Sequence, residues 1–242
     1  MICVILQPSY IPWRGFFDLI HKADVFVFYD DVQYDKHGWR NRNRIKTASG
    51  TQWLTIPVSA KGNVNGGLLL TDTRVVWTQD WPRKHLQTLK QSYARAPHFG
   101  EYAPMLDEFY ARRPELLIDF TIDLTIALAR ILGIAKTRFL RSSELGVSGT
   151  KTERLVRICE HVQATHYLSG PSAREYIDAN VFAEAKIGLE YMTYGYPTYE
   201  QLHPPYDPSV SILDLLFMKG PTAPEYIWGT KCHSESAIGG PA

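Results

Sequence analysis

The chain has 242 residues, is 45% hydrophobic and 21% charged, and carries a formal net charge of +1. That is an ordinary globular balance, long enough for one large domain, with no long-range electrostatic pull towards nucleic acid or an acidic membrane. Cys3, Cys159 and Cys232 lie far apart with no CxxC, which argues against a disulfide framework or a zinc site and sets a cytoplasmic expectation. Met1–Leu6 lacks the basic flank and the length of a signal peptide. No apolar run approaches the ~20 residues of a membrane span.

In chain order, Ile2–Leu6 and Val25–Tyr29 are continuous apolar runs, the pattern of parallel strands buried on both faces, with Gly15–Lys22 as a helix between them. Gln52–Val58 alternates as a strand, and the Gly/Asn/Lys segment Ser59–Gly67 reads as a mobile loop before a short strand at Leu68–Leu70. Trp81–Ala94 reads as an amphipathic helix with Asp80 at its N-cap and Pro82 in the first turn. Tyr102–Arg112 and Pro114–Leu132 are two more helices, the second ended by Gly133. A strand at Thr137–Leu140, a helix at Thr150–Val162 and a strand at Thr165–Leu168 follow. The end of the chain reads as a helix from Ser172, a strand at Leu189–Tyr194, a helix at Ser211–Lys219 and a frayed tail over residues 221–242. Strands and helices alternate at both ends around a helical insert at about residues 80–132. The expectation is therefore an α/β fold, a mostly parallel sheet flanked by helices, as a single domain over residues 1–220.

Ligands of open α/β sheets bind beyond the carboxyl ends of the strands. Gln7, Tyr10 and Trp13 follow the first predicted strand on a loop stiffened by Pro8 and Pro12. Asp30 and Asp31, with Gln33, follow the second; such carboxylates accept sugar hydroxyls or act as a base, and no metal-ligand spacing accompanies them. Alternation in an extended segment puts Arg40, Arg42, Arg44 and Lys46 on one face and Asn41, Asn43 and Ile45 on the other. Four cations in a row suit a diphosphate, and Trp39 beside them offers a stacking face for a base or sugar. Ser169 and Gly170 lie at another strand-to-helix turn, without the Gly-x-Ser-x-Gly of a nucleophile elbow. Ser148-Gly149-Thr150-Lys151-Thr152 has a phosphate-loop flavour but the wrong spacing. His85 on a helix and His203 in a loop after Tyr199 and Gln201 are candidate bases.

The opening segment also carries a resemblance. Gln7-Pro8-Ser9-Tyr10-Ile11-Pro12-Trp13-Arg14-Gly15-Phe16-Phe17, Asp30-Asp31-Val32-Gln33-Tyr34 and Trp39-Arg40-Asn41-Arg42-Asn43-Arg44 resemble the WbqC-like family. So do Tyr167-Leu168-Ser169-Gly170-Pro171-Ser172-Ala173, Tyr199-Glu200-Gln201-Leu202 and Ser211-Ile212-Leu213-Asp214-Leu215-Leu216-Phe217. The resemblance implies a bacterial transferase of O-antigen, other surface polysaccharide or specialised metabolite assembly. Such an enzyme moves an acyl or aminoacyl group to an amino sugar or related amine and forms an amide.

On that reading Asp31, His203 or His85 serves as base, and Arg40, Arg42 and Arg44 hold a diphosphate or a carrier phosphopantetheine. Gln7, Tyr10, Trp13 and Gln33 orient the acceptor. No resident cofactor is implied beyond an acyl or aminoacyl thioester donor, with an acyl-carrier protein as a partner and an amino sugar, nucleotide sugar or amine as substrate. The opening is also similar to that of HIGH-motif nucleotidyltransferases but lacks His-x-Gly-His, so an adenylate-handling enzyme is the alternative. A non-catalytic nucleotide-sugar-binding or assembly protein is the third.

Overall fold

The computed structural model describes residues 1–59 and 67–229. Strand β1 (Ile2–Leu6) runs through helix α1 (Arg14–Lys22) into β2 (Val25–Phe28), which pairs parallel to β1 with Cys3 opposite Val25. Strands β3 (Arg42–Thr47) and β4 (Gly50–Thr55) form a separate antiparallel hairpin. Helices α2 (Trp81–Tyr93), α3 (Phe99–Arg112) and α4 (Leu117–Ile131) make up the expected insert. Strand β5 (Arg138–Arg141) then pairs with β2. Helix α5 (Lys151–His161) leads to β6 (His166–Ser169) on the other side of β1, and α6 (Ala179–Glu184) leads to β7 (Gly188–Tyr191). Helix α7 (Ile212–Lys219) and a 3-10 segment, Gly220–Tyr226, follow.

The sheet order is β5-β2-β1-β6-β7, every pairing parallel, so this is an α/β fold. The chain winds outward from β1 through β2 and β5, then returns to the other side for β6 and β7. The crevice beyond the carboxyl ends of β1 and β6 is therefore the topological switch point, the usual ligand site of a doubly wound sheet.

Alternate side chains of the strands feed two cores. Val4, Phe26 and Phe28 point to the face covered by α1, the insert and α7. Cys3, Ile5, Val25 and Val27 point to the face covered by α5 and α6. Burial on both faces is why β1 and β2 read as unbroken apolar runs. Gly133, at φ +79, stops α4 as expected of a left-handed C-terminal residue.

Several boundaries differ from expectation. Leu69 forms only an isolated bridge to Gln33, and Leu70–Asp72 is a 3-10 turn instead of a strand. The segment after Ser169 opens as a 3-10 turn, Pro171–Glu175, and α6 starts only where the Asp178 side chain accepts from the Asn180 amide. β7 ends at Tyr191. Residues 221–229 do not fray: Ala223 and Ile227 are buried, and Trp228 stacks on His21 at 4.1 Å. The rest of the expected tail, Cys232 and the loop at 60–66 lie outside the described residues. Among the described residues no helix is long and apolar enough to cross a membrane.

Candidate functional site

The loop after β1 is held in shape by the segment just before and within β3. The buried Asn43 amide donates to the carbonyls of Tyr10 (3.0 Å) and Ile11 (2.9 Å). The Tyr10 amide donates to the Trp39 carbonyl at 3.1 Å, and Arg40 Nη1 donates to the Pro8 carbonyl at 3.2 Å. These contacts keep Ile11 at φ +37, a left-handed conformation that a β-branched residue adopts only under tertiary constraint.

At the switch point lies a cavity of about 1000 Å³. It is lined by Gln7 and Ser9 beyond the end of β1 and by Trp13, Trp39, Arg40 and Asn43. Ser169, Gly170 and Ser172 at the end of β6 and just after it line it too, with Tyr176 and Tyr194. Tyr29, just past β2, and Lys151, at the start of α5, complete it. Lys151 is itself left-handed, at φ +48. Its volume is at the upper end for small-ligand pockets, and its mixture of aromatic walls with a few convergent polar groups is typical of them.

The charge of the cavity is one-sided. Its described lining contains Arg40 and Lys151 and no carboxylate or histidine. Among the described residues Arg40 has no carboxylate within ion-pair distance, and its Nε is buried without a partner. Burial pulls its pKa down to about 10, against the raising effect of Asp35 and Tyr34, so it remains a cation at neutral pH. A desolvated guanidinium with no carboxylate in direct contact is a seat for an anion.

Of the residues singled out from sequence, Gln7, Trp13, Trp39, Arg40, Asn43, Ser169 and Gly170 meet at this cavity. Lys151, from the segment with a phosphate-loop flavour, lines it too; the remaining candidate catalytic and binding residues do not. Tyr10 is fully buried; its hydroxyl contacts Tyr110 and lies 3.1 Å from His85 Nδ1 within the core against the insert. Burial pulls the His85 pKa to about 4, which removes it as a base near neutral pH. His203 is 9% exposed and its Nε2 lies 2.9 Å from the Ser92 carbonyl.

The two aspartates are structural pins. Asp30 is fully buried and accepts from the Ser143 amide (2.9 Å), Ser143 Oγ (2.9 Å) and Ser142 Oγ (3.1 Å), tying β2 to the end of β5. Asp31 takes the Ser142 hydroxyl at 2.5 Å and is ion-paired to Arg154 of α5. It reaches the cavity only through Arg154, whose guanidinium lies 5.0 Å from the Tyr29 ring centroid.

Gln33 packs against Gly67 on an outer loop. Asn41 donates to the Ile56 carbonyl at 2.8 Å. Tyr199 and Gln201 donate to the buried Asp214 carboxylate at 2.7 and 3.0 Å, with Tyr93 a third donor at 2.8 Å. Lys46 is 3% exposed, so the expected face of four cations reduces to Arg42 and Arg44 on the hairpin and Arg40 at the cavity. Sequence reasoning missed Tyr29, Tyr176 and Tyr194. Tyr29 was legible as the residue following β2; the other two lie on irregular segments with no periodic signal. Among the described residues no group of three or more His, Cys, Asp or Glu side chains is arranged to hold a metal ion.

Comparison with known proteins agrees with the opening motif. The chain is 44% identical over 225 residues to the uncharacterized protein Rv1507c of Mycobacterium tuberculosis, covering 92% of this chain and 96% of that one. No solved structure matches. The model of the WbqC-like protein family matches residues 7–226, a span that includes every cavity residue named above, and the chain belongs to that family.

Proposed function

We propose that the switch-point cavity is the active site of a transferase that forms an amide on an amino sugar or related amine, the acyl or aminoacyl group arriving as a thioester. The observation that supports this best is the one-sided chemistry of the lining: Arg40 and Lys151, neither in an ion pair among the described residues, for a phosphorylated substrate, neutral Gln7, Ser169 and Ser172 for hydroxyls, and aromatic walls for a sugar. The pathway, surface polysaccharide or specialised metabolite assembly, follows from the family resemblance.

The lining also suits the reaction. In aminolysis of a thioester the amine nitrogen forms the new C–N bond as the C–S bond breaks. The departing thiolate, with an ordinary thiol pKa near 8.5, accepts the amine proton. No carboxylate or imidazole base is needed once the partners are oriented. Tyr29, whose phenol burial keeps protonated, and the Ser169 hydroxyl are two of the lining donors that would serve the developing oxyanion.

The test is mass spectrometry of the protein incubated with acyl- and aminoacyl-thioesters and amino-sugar nucleotides. Amide product that is lost in Arg40→Gln supports the reading. Release of pyrophosphate from a nucleoside triphosphate without thioester favours adenylate handling instead. Tight binding without turnover favours a non-catalytic role.

A further inference from the structure

The β3–β4 hairpin exposes an aromatic surface that packing does not account for. The indoles of Trp39 and Trp53 are 40% and 42% exposed and lie 5.1 Å apart, centroid to centroid, at 36°. Two guanidiniums are interleaved with them. Arg42 lies 4.4 Å from the Trp53 centroid; Arg44 lies 5.7 Å from Trp39 and 5.9 Å from Trp53. The register explains the ladder: Arg44 is directly opposite Trp53, and Arg42 is two residues along on the same face. Among the described residues neither arginine has a carboxylate partner, and Arg44 Nε is buried without a hydrogen bond.

The ladder is continuous with the cavity. Trp39 belongs to both, and Arg44 Nη2 reaches the carbonyl of Ser209, another cavity residue, at 3.5 Å. Guarding an open strand edge needs only charge; it does not need two half-exposed indoles. Side-by-side aromatic faces flanked by guanidiniums are what a nucleobase and its phosphates require.

We infer that the Trp39–Trp53 ladder is a stacking subsite for the nucleobase of a nucleoside diphosphate-linked substrate, with Arg44 and Arg40 holding the diphosphate and the remainder entering the cavity. This rests on the cavity being the substrate site. It makes the substrate a nucleotide-linked compound, since a bare sugar phosphate would leave both indoles in water.

The test is isothermal titration of uridine, thymidine, adenosine and guanosine diphosphates, with inorganic pyrophosphate as the base-free probe, against wild type, Trp53→Ala, Arg44→Gln and Arg40→Gln. At least one nucleoside diphosphate should bind about tenfold or more tighter than pyrophosphate, the value of one stacked base. Trp53→Ala should remove about tenfold from that nucleotide and leave pyrophosphate within about twofold. Arg40→Gln and Arg44→Gln should weaken both ligands. Trp53→Leu, which keeps an apolar strand residue, repeats the measurement if the alanine variant misfolds. Equal binding of nucleotides and pyrophosphate, or nucleotide binding unchanged in both Trp53 variants, overturns the subsite while leaving the cavity reading intact provided Arg40→Gln still matters. No effect of Arg40→Gln, or no binding to wild type, overturns both.

Discussion

Trp13 turns its indole back over Gly15, so close that a Cβ at residue 15 would sit 2.3 Å from the ring. In doubly wound folds the helix after the first strand usually offers its amino end to a phosphate. Here the indole covers that end of α1 and meets Tyr194 edge-on at 4.9 Å. An anionic ligand is directed instead to Arg40, which also lines the cavity. Gly15→Ala should therefore force Trp13 out of place, at roughly 1–3 kcal/mol of overpacking. Urea denaturation should show the loss, and the ligand titrations should show weaker binding as the wall shifts. An unchanged midpoint would mean that the indole moves aside freely and does not shape the cavity.

Asp31 is a pin between β5 and α5, and the expected effect of Asp31→Asn follows from that. Arg154 and Asp31 have side chains only 12% and 23% exposed, so the substitution leaves a poorly solvated guanidinium without its counter-charge. A stability loss of roughly 1–3 kcal/mol is expected. Amide formation should persist at a reduced rate, because Tyr29 loses its fixed neighbour but no reacting group is removed. Abolished turnover with an unchanged urea midpoint would return Asp31 to the role of base.

His85 should make stability fall in mild acid. Burial lowers its pKa from 6.5 to about 4, outweighing the hydrogen bond to the Thr55 backbone that pulls the other way. The unfolded chain takes up a proton that the folded chain refuses. Its contribution is complete above about pH 6.5 and is lost as pH falls towards 4, with a slope of up to about 1.4 kcal/mol per pH unit. Urea midpoints from pH 7.5 to 4 should show a shallower acid loss for His85→Gln than for wild type. Identical slopes would contradict a buried neutral imidazole.

The contrast between Tyr10 and Arg40 shows what the sequence made legible. The parallel sheet could be read from β1 and β2 because burial on both faces writes itself as an apolar run. The rule that ligands gather beyond strand ends located the loop containing Gln7 and Trp13 and the turn containing Ser169. It could not say which way each side chain points. Tyr10 is buried in the core while Gln7, Ser9 and Trp13 on the same loop line the cavity. Asp30 and Asp31 look like a catalytic pair in one dimension; their partners Ser142, Ser143 and Arg154 are more than a hundred residues away. Trp53 is hidden for a different reason: it is close to Arg44 in the chain, but acquires meaning only when the hairpin register sets the two opposite each other.

The most direct measurement of the central claim, that the crevice between β1 and β6 is the substrate site, is a crystal structure of the protein soaked with the nucleoside diphosphate sugar that binds best. Electron density for the ligand with its phosphates on Arg40 and its sugar between Gln7 and Ser169 is the predicted result. An ordered ligand elsewhere on the molecule, with this cavity holding only water, would contradict it.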